Sequence, residues 1–114
     1  MSDVLCNTGE IPEGTSKSFT LTRDNTELEL FIVHFCEQFY AYENHCPHTG
    51  INLNWQADQF LDITEQRIQC ATHGALFRIP DGLCEWGPCI GRNLRPLTIR
   101  EIDGQLFLIN EEER

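Results

Sequence analysis

Leu28, Leu30 and Ile32 alternate with Glu27, Glu29, Phe31 and Val33. A period of two in branched and aromatic residues predicts a strand, and the apolar Phe31 and Val33 predict that its second face is also fairly buried. Phe39-Tyr40-Ala41-Tyr42 predicts its hairpin partner, joined around Cys36-Glu37-Gln38. Residues 97–102 and 105–109 flank Asp103-Gly104. An Asp-Gly pair between two such runs predicts a tight hairpin, because both central residues need positive φ. Pro80-Asp81-Gly82 predicts a further reversal between Phe77-Arg78-Ile79 and Leu83-Cys84-Glu85. Pro12, Gly14, Pro47, Gly50, Pro88 and Gly91 punctuate the rest. No long amphipathic helix is visible. Residues 51–66 are the least patterned and admit a short helical turn. Glu111-Glu112-Glu113 reads as a frayed, solvated end. The expected fold is all-β, a small antiparallel sandwich or barrel.

Length fits a single domain over residues 1–114. Eighteen acids against eight bases give a formal net charge of -10. That balance argues against nucleic acid and anionic membrane as partners, since phosphate contacts need clustered cations. The longest aliphatic or aromatic runs, residues 30–33 and 106–109, are four residues each, far short of a membrane span. The start, Met1-Ser2-Asp3-Val4, lacks a basic stretch followed by an apolar one, so the expectation is a cytoplasmic protein. Six cysteines in such a chain point to metal binding before a disulfide framework.

The informative residues lie between positions 44 and 90. Cys46-Pro47-His48-Thr49-Gly50 and Cys70-Ala71-Thr72-His73-Gly74 each supply one Cys and one His, in the arrangement C-x-H-x21-C-x2-H. Cys and His suit iron and zinc. Glycine after each segment lets the backbone turn sharply, so that N–H groups can face bridging sulfides. A zinc site usually groups two Cys and then two His. The alternating order suits a binuclear cluster better, and a structural zinc domain is the minor alternative.

C-P-H-T-G followed by C-A-T-H-G-A-L-F closely resembles the two cluster-binding loops of Rieske [2Fe-2S] proteins. Glu85-Trp86-Gly87-Pro88-Cys89 resembles the third, Pro-containing loop over the cluster. The resemblance spans nearly the whole chain and implies a Rieske-like antiparallel β-sandwich with a small cluster-binding subdomain. It implies that Cys46 and Cys70 bind one iron of a single [2Fe-2S] cluster, and His48 and His73 the other. The gap of 21 residues between His48 and Cys70 exceeds the family's usual spacing, and an insertion around residues 55–66 would account for it.

The same resemblance bears on the potential. High-potential members carry an extra Cys in each loop, forming a disulfide. Ile51 and Thr72 occupy those positions here. They also place a Ser and a Tyr hydroxyl near the cluster sulfurs, where this chain has Ala75 and Phe77. Losing donors destabilises the more negative reduced state. The chain therefore resembles the low-potential, soluble ferredoxin branch.

Small soluble Rieske ferredoxins accept an electron from a reductase and pass it to a terminal oxygenase or similar redox enzyme. The resemblance implies that role, an electron-transfer component with no catalysis of its own. The alternative is a small electron-transfer or regulatory subunit of a nitrite-reductase-like complex. By resemblance, His48 and His73 mark the docking face, with Pro47, Thr49 and Trp86 beside them. Among the other candidates, Cys84 and Cys89 read as buried thiols near the cluster, and Cys6 and Cys36 as core or near-surface residues. His45 is set aside in favour of His48. His34 shares a strand face with Leu30 and Ile32, which predicts a packed, hydrogen-bonded histidine. Trp55 and Trp86 read as cover for the core or the cluster loops.

Overall fold

The computed structural model describes residues 2–23, 26–44, 60–61, 67–70, 74–87 and 90–109. Ten strands follow one another among the described residues: β1 Ser2–Asn7, β2 Ser16–Arg23, β3 Thr26–Phe35, β4 Gln38–Glu43, β5 Arg67–Gln69, β6 Leu76–Arg78, β7 Cys84–Trp86, β8 Pro96–Leu97, β9 Ile99–Ile102 and β10 Gln105–Ile109. A 3-10 turn, Thr8–Glu10, follows β1. No α-helix occurs among the described residues. The strands form three antiparallel sheets, ordered β1-β10-β9, β2-β3-β4-β8 and β5-β6-β7. The expected all-β architecture is the one observed.

The expected hairpins form. Phe35 pairs with Gln38, so Cys36 and Glu37 alone make the β3–β4 turn, with φ of 51° and 66°. Gln38 belongs to the strand, not to the connection. Neither turn residue is glycine, and each carries the strain of a left-handed backbone. Glu13 offsets it: its two carboxylate oxygens accept the N–H groups of Cys36 and Glu37, at 2.8 and 2.7 Å. Asp103 and Gly104, with φ of 50° and 77°, join β9 to β10 as the Asp-Gly signal predicts. The reversal at Pro80-Asp81-Gly82 is also present, although β6 and β7 start and end one residue away from the expected limits.

Strand β3 organises the interior because both of its faces are covered. Leu30 and Ile32 pack with Cys6, Ile11, Ala41 and Leu106, on the side of the β1-β10-β9 sheet. Phe31 and Val33 pack with Tyr42, Phe60, Ile68, Phe77 and Leu94, on the side of the β5-β6-β7 sheet. The alternation of side chains along a strand sends odd and even residues to these two cores. One strand thus ties the larger sandwich to the smaller sheet. Phe60 stacks on Phe31 at 4.2 Å between ring centroids, and Leu61 bridges to Ile68. Phe60 and Leu61 are the described part of the segment where an insertion or a helical turn is expected; the remainder lies outside the described residues.

Sequence reading missed β1, β2 and β5, and the run expected over 97–102 breaks at Thr98 into the end of β8 and the whole of β9. Strand β2 pairs with β3 along its whole length, from Ser16 opposite Val33 to Arg23 opposite Thr26. His34 is packed and hydrogen-bonded as expected. Its Nδ1 lies 2.8 Å from the Ile11 carbonyl, and its ring stacks on Phe39 at 4.1 Å.

Candidate metal centre

The small β5-β6-β7 sheet presents Cys70 directly after β5 and Ala75 directly before β6. The Cys70 N–H donates to the Ala75 carbonyl, and the Gly74 N–H donates to the Cys70 carbonyl, both at 2.9 Å. These bonds close the base of the second Cys/His loop. Gly74, at a φ of 69°, supplies the sharp turn. Cys70 is 0% exposed and packs in one cluster with Ala75, Phe77 and Cys84. Burial in apolar surroundings disfavours a bare thiolate, and a bound metal reverses that preference.

The third loop is built on the same sheet. Strands β6 and β7 change register between Leu76, which faces Trp86, and Phe77, which faces Cys84. Such a bulge re-aims the side chains around it. Cys84 and Trp86 would share a face in a regular strand. Here Cys84 is 2% exposed and Trp86 is 60% exposed. The Cys84 thiol donates to the Trp86 carbonyl at 3.3 Å. The Trp86 ring edge lies against Gly74, since a Cβ at position 74 would sit 3.7 Å from its Cζ3. Gly87, at a φ of 111°, brings its backbone against Ala75. The second and third loops are therefore seated on each other.

Charged side chains hold the far edge of this sheet. Arg67 and Arg78 lie directly opposite each other on β5 and β6. Like charges in that position repel unless each finds an acid. Arg67 bonds Glu85 at 3.0 Å, and Arg78 bonds Asp81. The Arg78 guanidinium, and then the Leu83 N–H, hold the Asp81 carboxyl below the usual carboxylate range. On the opposite side Tyr42 is buried, and its hydroxyl donates to the Ile79 carbonyl at 2.5 Å. Burial first, then the charges of Asp81 and Tyr40, push its phenol well above the ordinary value.

Of the four expected ligands, Cys70 is described; Cys46, His48 and His73 lie outside the described residues. So do His45, Pro47, Thr49, Ile51, Trp55, Thr72, Pro88, Cys89 and Glu111 to Glu113. The stem of the first loop is described. Asn44 is a buried polar residue at the end of β4, and its N–H donates to the Glu29 carbonyl at 2.8 Å. Among the described residues no group of three or more His, Cys, Asp or Glu side chains could hold a metal ion. What the described part supplies is one buried thiol on a closed loop, under a second loop packed against it. That donor and its apolar surroundings fit an iron–sulfur cluster. Cys6 is a core residue, and Cys36 is exposed in the β3–β4 turn. The structural roles of Asp81 and Tyr42 escaped the sequence reading. Asp81 had a signal, because an Asp between Pro and Gly commonly bonds the backbone two residues on.

A sequence model described as Rieske [2Fe-2S] domain matches residues 2–109. Comparison with curated proteins finds no match. Among solved structures, a chain of the reduced complex between oxygenase and ferredoxin in carbazole 1,9a-dioxygenase is similar, with a TM-score of 0.74 and 22% identity. That match covers 94% of this chain but only 27% of the other. The terminal oxygenase of carbazole 1,9a-dioxygenase from Novosphingobium sp. KA1 gives a TM-score of 0.78 at 20% identity, covering 95% of this chain and 29% of that one. A chain in the complex of reduced oxygenase and oxidized ferredoxin gives 0.72 at 21% identity, covering 94% of this chain and 91% of that one. At such identities the likeness shows the fold. No helix among the described residues is long and apolar enough to cross a membrane.

Proposed function

The chain belongs to the Rieske [2Fe-2S] domain family, and from that premise we propose that it carries single electrons from a reductase to a terminal oxygenase or a similar redox enzyme. Membership implies one [2Fe-2S] cluster per chain. Cys46 and Cys70 would hold one iron through thiolates, and His48 and His73 the other through neutral imidazoles. When bound, such a cluster stores one electron at a potential raised by its two imidazole ligands. The chain's own residues keep the Cys70 loop closed, exclude water from the Cys70 thiol and seat the third loop at Gly87.

The observation that carries this reading is the family match over residues 2–109, which gives the cluster module nearly all of the sequence. The near end-to-end similarity to a chain in the oxygenase–ferredoxin complex supports it. Residues 1–114 act as one Rieske domain in the cytoplasm, as an electron-transfer component and not as a catalyst. Ala75 and Phe77 lack hydroxyls, which favours the low-potential branch.

His48 and His73 mark the docking face, with Pro47, Thr49 and Trp86 around them. A net charge of -10 draws the protein to a basic partner surface, and this speeds encounter more than it tightens the complex. Stopped-flow electron transfer with the cognate reductase or terminal enzyme, measured against ionic strength, tests the role. The rate should fall as salt rises, since the Debye length is about 10 Å at 0.1 M. Pro47→Asp and Thr49→Arg should slow it. A rate independent of both salt and these substitutions contradicts the assigned face.

A further inference from the structure

Two adjoining grooves run along β4 where it meets β8 and β9. The first, about 230 Å³, is lined by Glu37, Gln38, Phe39, Ile99, Glu101 and Leu106. The second, about 240 Å³, shares Phe39 and Ile99 and continues past Tyr40 to Pro80 and Pro96. Their origin is in the sheet pairing. Among the described residues, β8 pairs with β4 only through Ala41 opposite Leu97 and Tyr42 opposite Pro96. The chain then leaves that sheet at Thr98 and enters β9 of the other one. The stretch from Gln38 to Tyr40 is left along a seam between the two sheets, with Phe39 and Ile99 as its apolar walls.

The rim of this seam is acidic. Glu37 and Glu101 are both exposed. Glu101 sits opposite Leu106, a core residue, so it lies on the inner side of its sheet; Arg100 sits opposite Phe107, on the other side. The nearest base on β9 therefore points away from the groove. The Glu13 carboxylate holds the Glu37 N–H at 2.7 Å and thereby fixes the turn at the groove's mouth.

We propose that this seam is a docking site for an extended, Lys- or Arg-bearing segment of a protein partner. An apolar side chain enters between Phe39 and Ile99, and flanking cations meet Glu37 and Glu101. Charge selects the occupant. A second copy of a chain with net charge -10 is repelled, and so is this chain's own Glu111-Glu112-Glu113. Among the described residues Gln38 to Tyr40 have no strand partner on the β8 side, and such a stretch is a common receiver of extended peptides. Phe39 precedes Glu43, the last residue of β4, by four strand positions, about 13 Å at roughly 3.3 Å per residue.

The test uses the iron-loaded protein and two blocked hexapeptides, one alternating Val with Lys and one alternating Val with Glu. Amide shifts are followed by NMR during titration. The Lys peptide should give saturable shifts at Gln38 to Tyr40 and Ile99 to Glu101, and the Glu peptide none. Glu37→Lys with Glu101→Lys should weaken binding about tenfold or more. The EPR spectrum and potential should be unchanged by either peptide, which separates this result from the fate of the electron-carrier reading. The proposal is overturned by equal binding of the two peptides, by affinity insensitive to the charge reversals, by shifts confined to Gly74, Trp86 and Ile90, or by self-association through the seam.

Discussion

Gly87 lies with its backbone on Ala75: a Cβ at position 87 would come 2.8 Å from the Ala75 Cα and 3.0 Å from its Cβ. At a φ of 111° the position also excludes any ordinary side chain. Gly87→Ala should therefore cost about 1–3 kcal/mol of stability. It should also lift the third loop off the Cys70 loop and broaden the EPR signal of the reduced cluster. Chemical denaturation and EPR of one preparation check both effects. An unchanged spectrum with unchanged stability would show that the two loops are not mechanically joined.

Cys84 is expected to be a seat for the third loop and not a ligand. Cys84→Ser keeps a donor for the Trp86 carbonyl and should retain the Rieske line shape. Cys84→Ala removes the donor and should lower stability by about 1 kcal/mol. Cys89→Ser should also retain the line shape. Loss of the cluster in both serine variants, with circular dichroism showing the fold intact, would require a different ligand set.

Tyr42 should make the fold less stable at alkaline pH. Its phenol has a raised pKa in the folded state, so the stabilisation it contributes is fully present below the unfolded value of about 10. It is lost progressively as pH rises from there toward the folded value. Stability of the native protein should fall above pH 10 by up to about 1.4 kcal/mol per pH unit from this group. Tyr42→Phe should remove that component of the slope. It should also cost about 1–2 kcal/mol at neutral pH by leaving the buried Ile79 carbonyl without its donor. Urea titrations from pH 8 to 11 decide the matter, and parallel pH profiles for the two proteins would refute it.

The absence of hydroxyl donors at Ala75 and Phe77 should place the midpoint near the lower end of the family's range, on the order of -150 to 0 mV. Ala75→Ser and Phe77→Tyr should each raise it. Gly87 packs on Ala75 and Phe77 is fully buried, so both variants need their cluster content checked beside the potential. Protein-film voltammetry above about +150 mV for the native protein would contradict this placement.

Much of the sandwich was legible because its turns carry strong local signals. Asp103-Gly104 and Pro80-Asp81-Gly82 each fix a reversal within a few residues, and Leu28 to Val33 shows a clear two-sided pattern. Strand β2 was missed although Phe19 and Leu21 alternate with Ser and Thr. It is a half-covered strand whose place is set by pairing with β3, a contact distant from local propensity. Strand β5 has three residues, too short to show a period, and the two-residue β8 could not be told from β9 within the run 97–102. The loop spacing pointed to Cys70, and the structure adds its burial and its closed loop. The bulge between Cys84 and Trp86 was not legible, because it depends on the register of β6 against β7. Nothing in Cys-Glu-Trp alone says that the first residue is buried and the third exposed.

The Rieske cluster itself is checked by EPR of the dithionite-reduced protein, with iron and acid-labile sulfide assayed on the same sample. At full occupancy about two irons and two sulfides per chain are expected, with a rhombic signal of average g below 2. His48→Cys or His73→Cys should abolish or strongly alter that signal. Stoichiometric zinc, in a preparation that cannot be reconstituted with iron and sulfide, would contradict it.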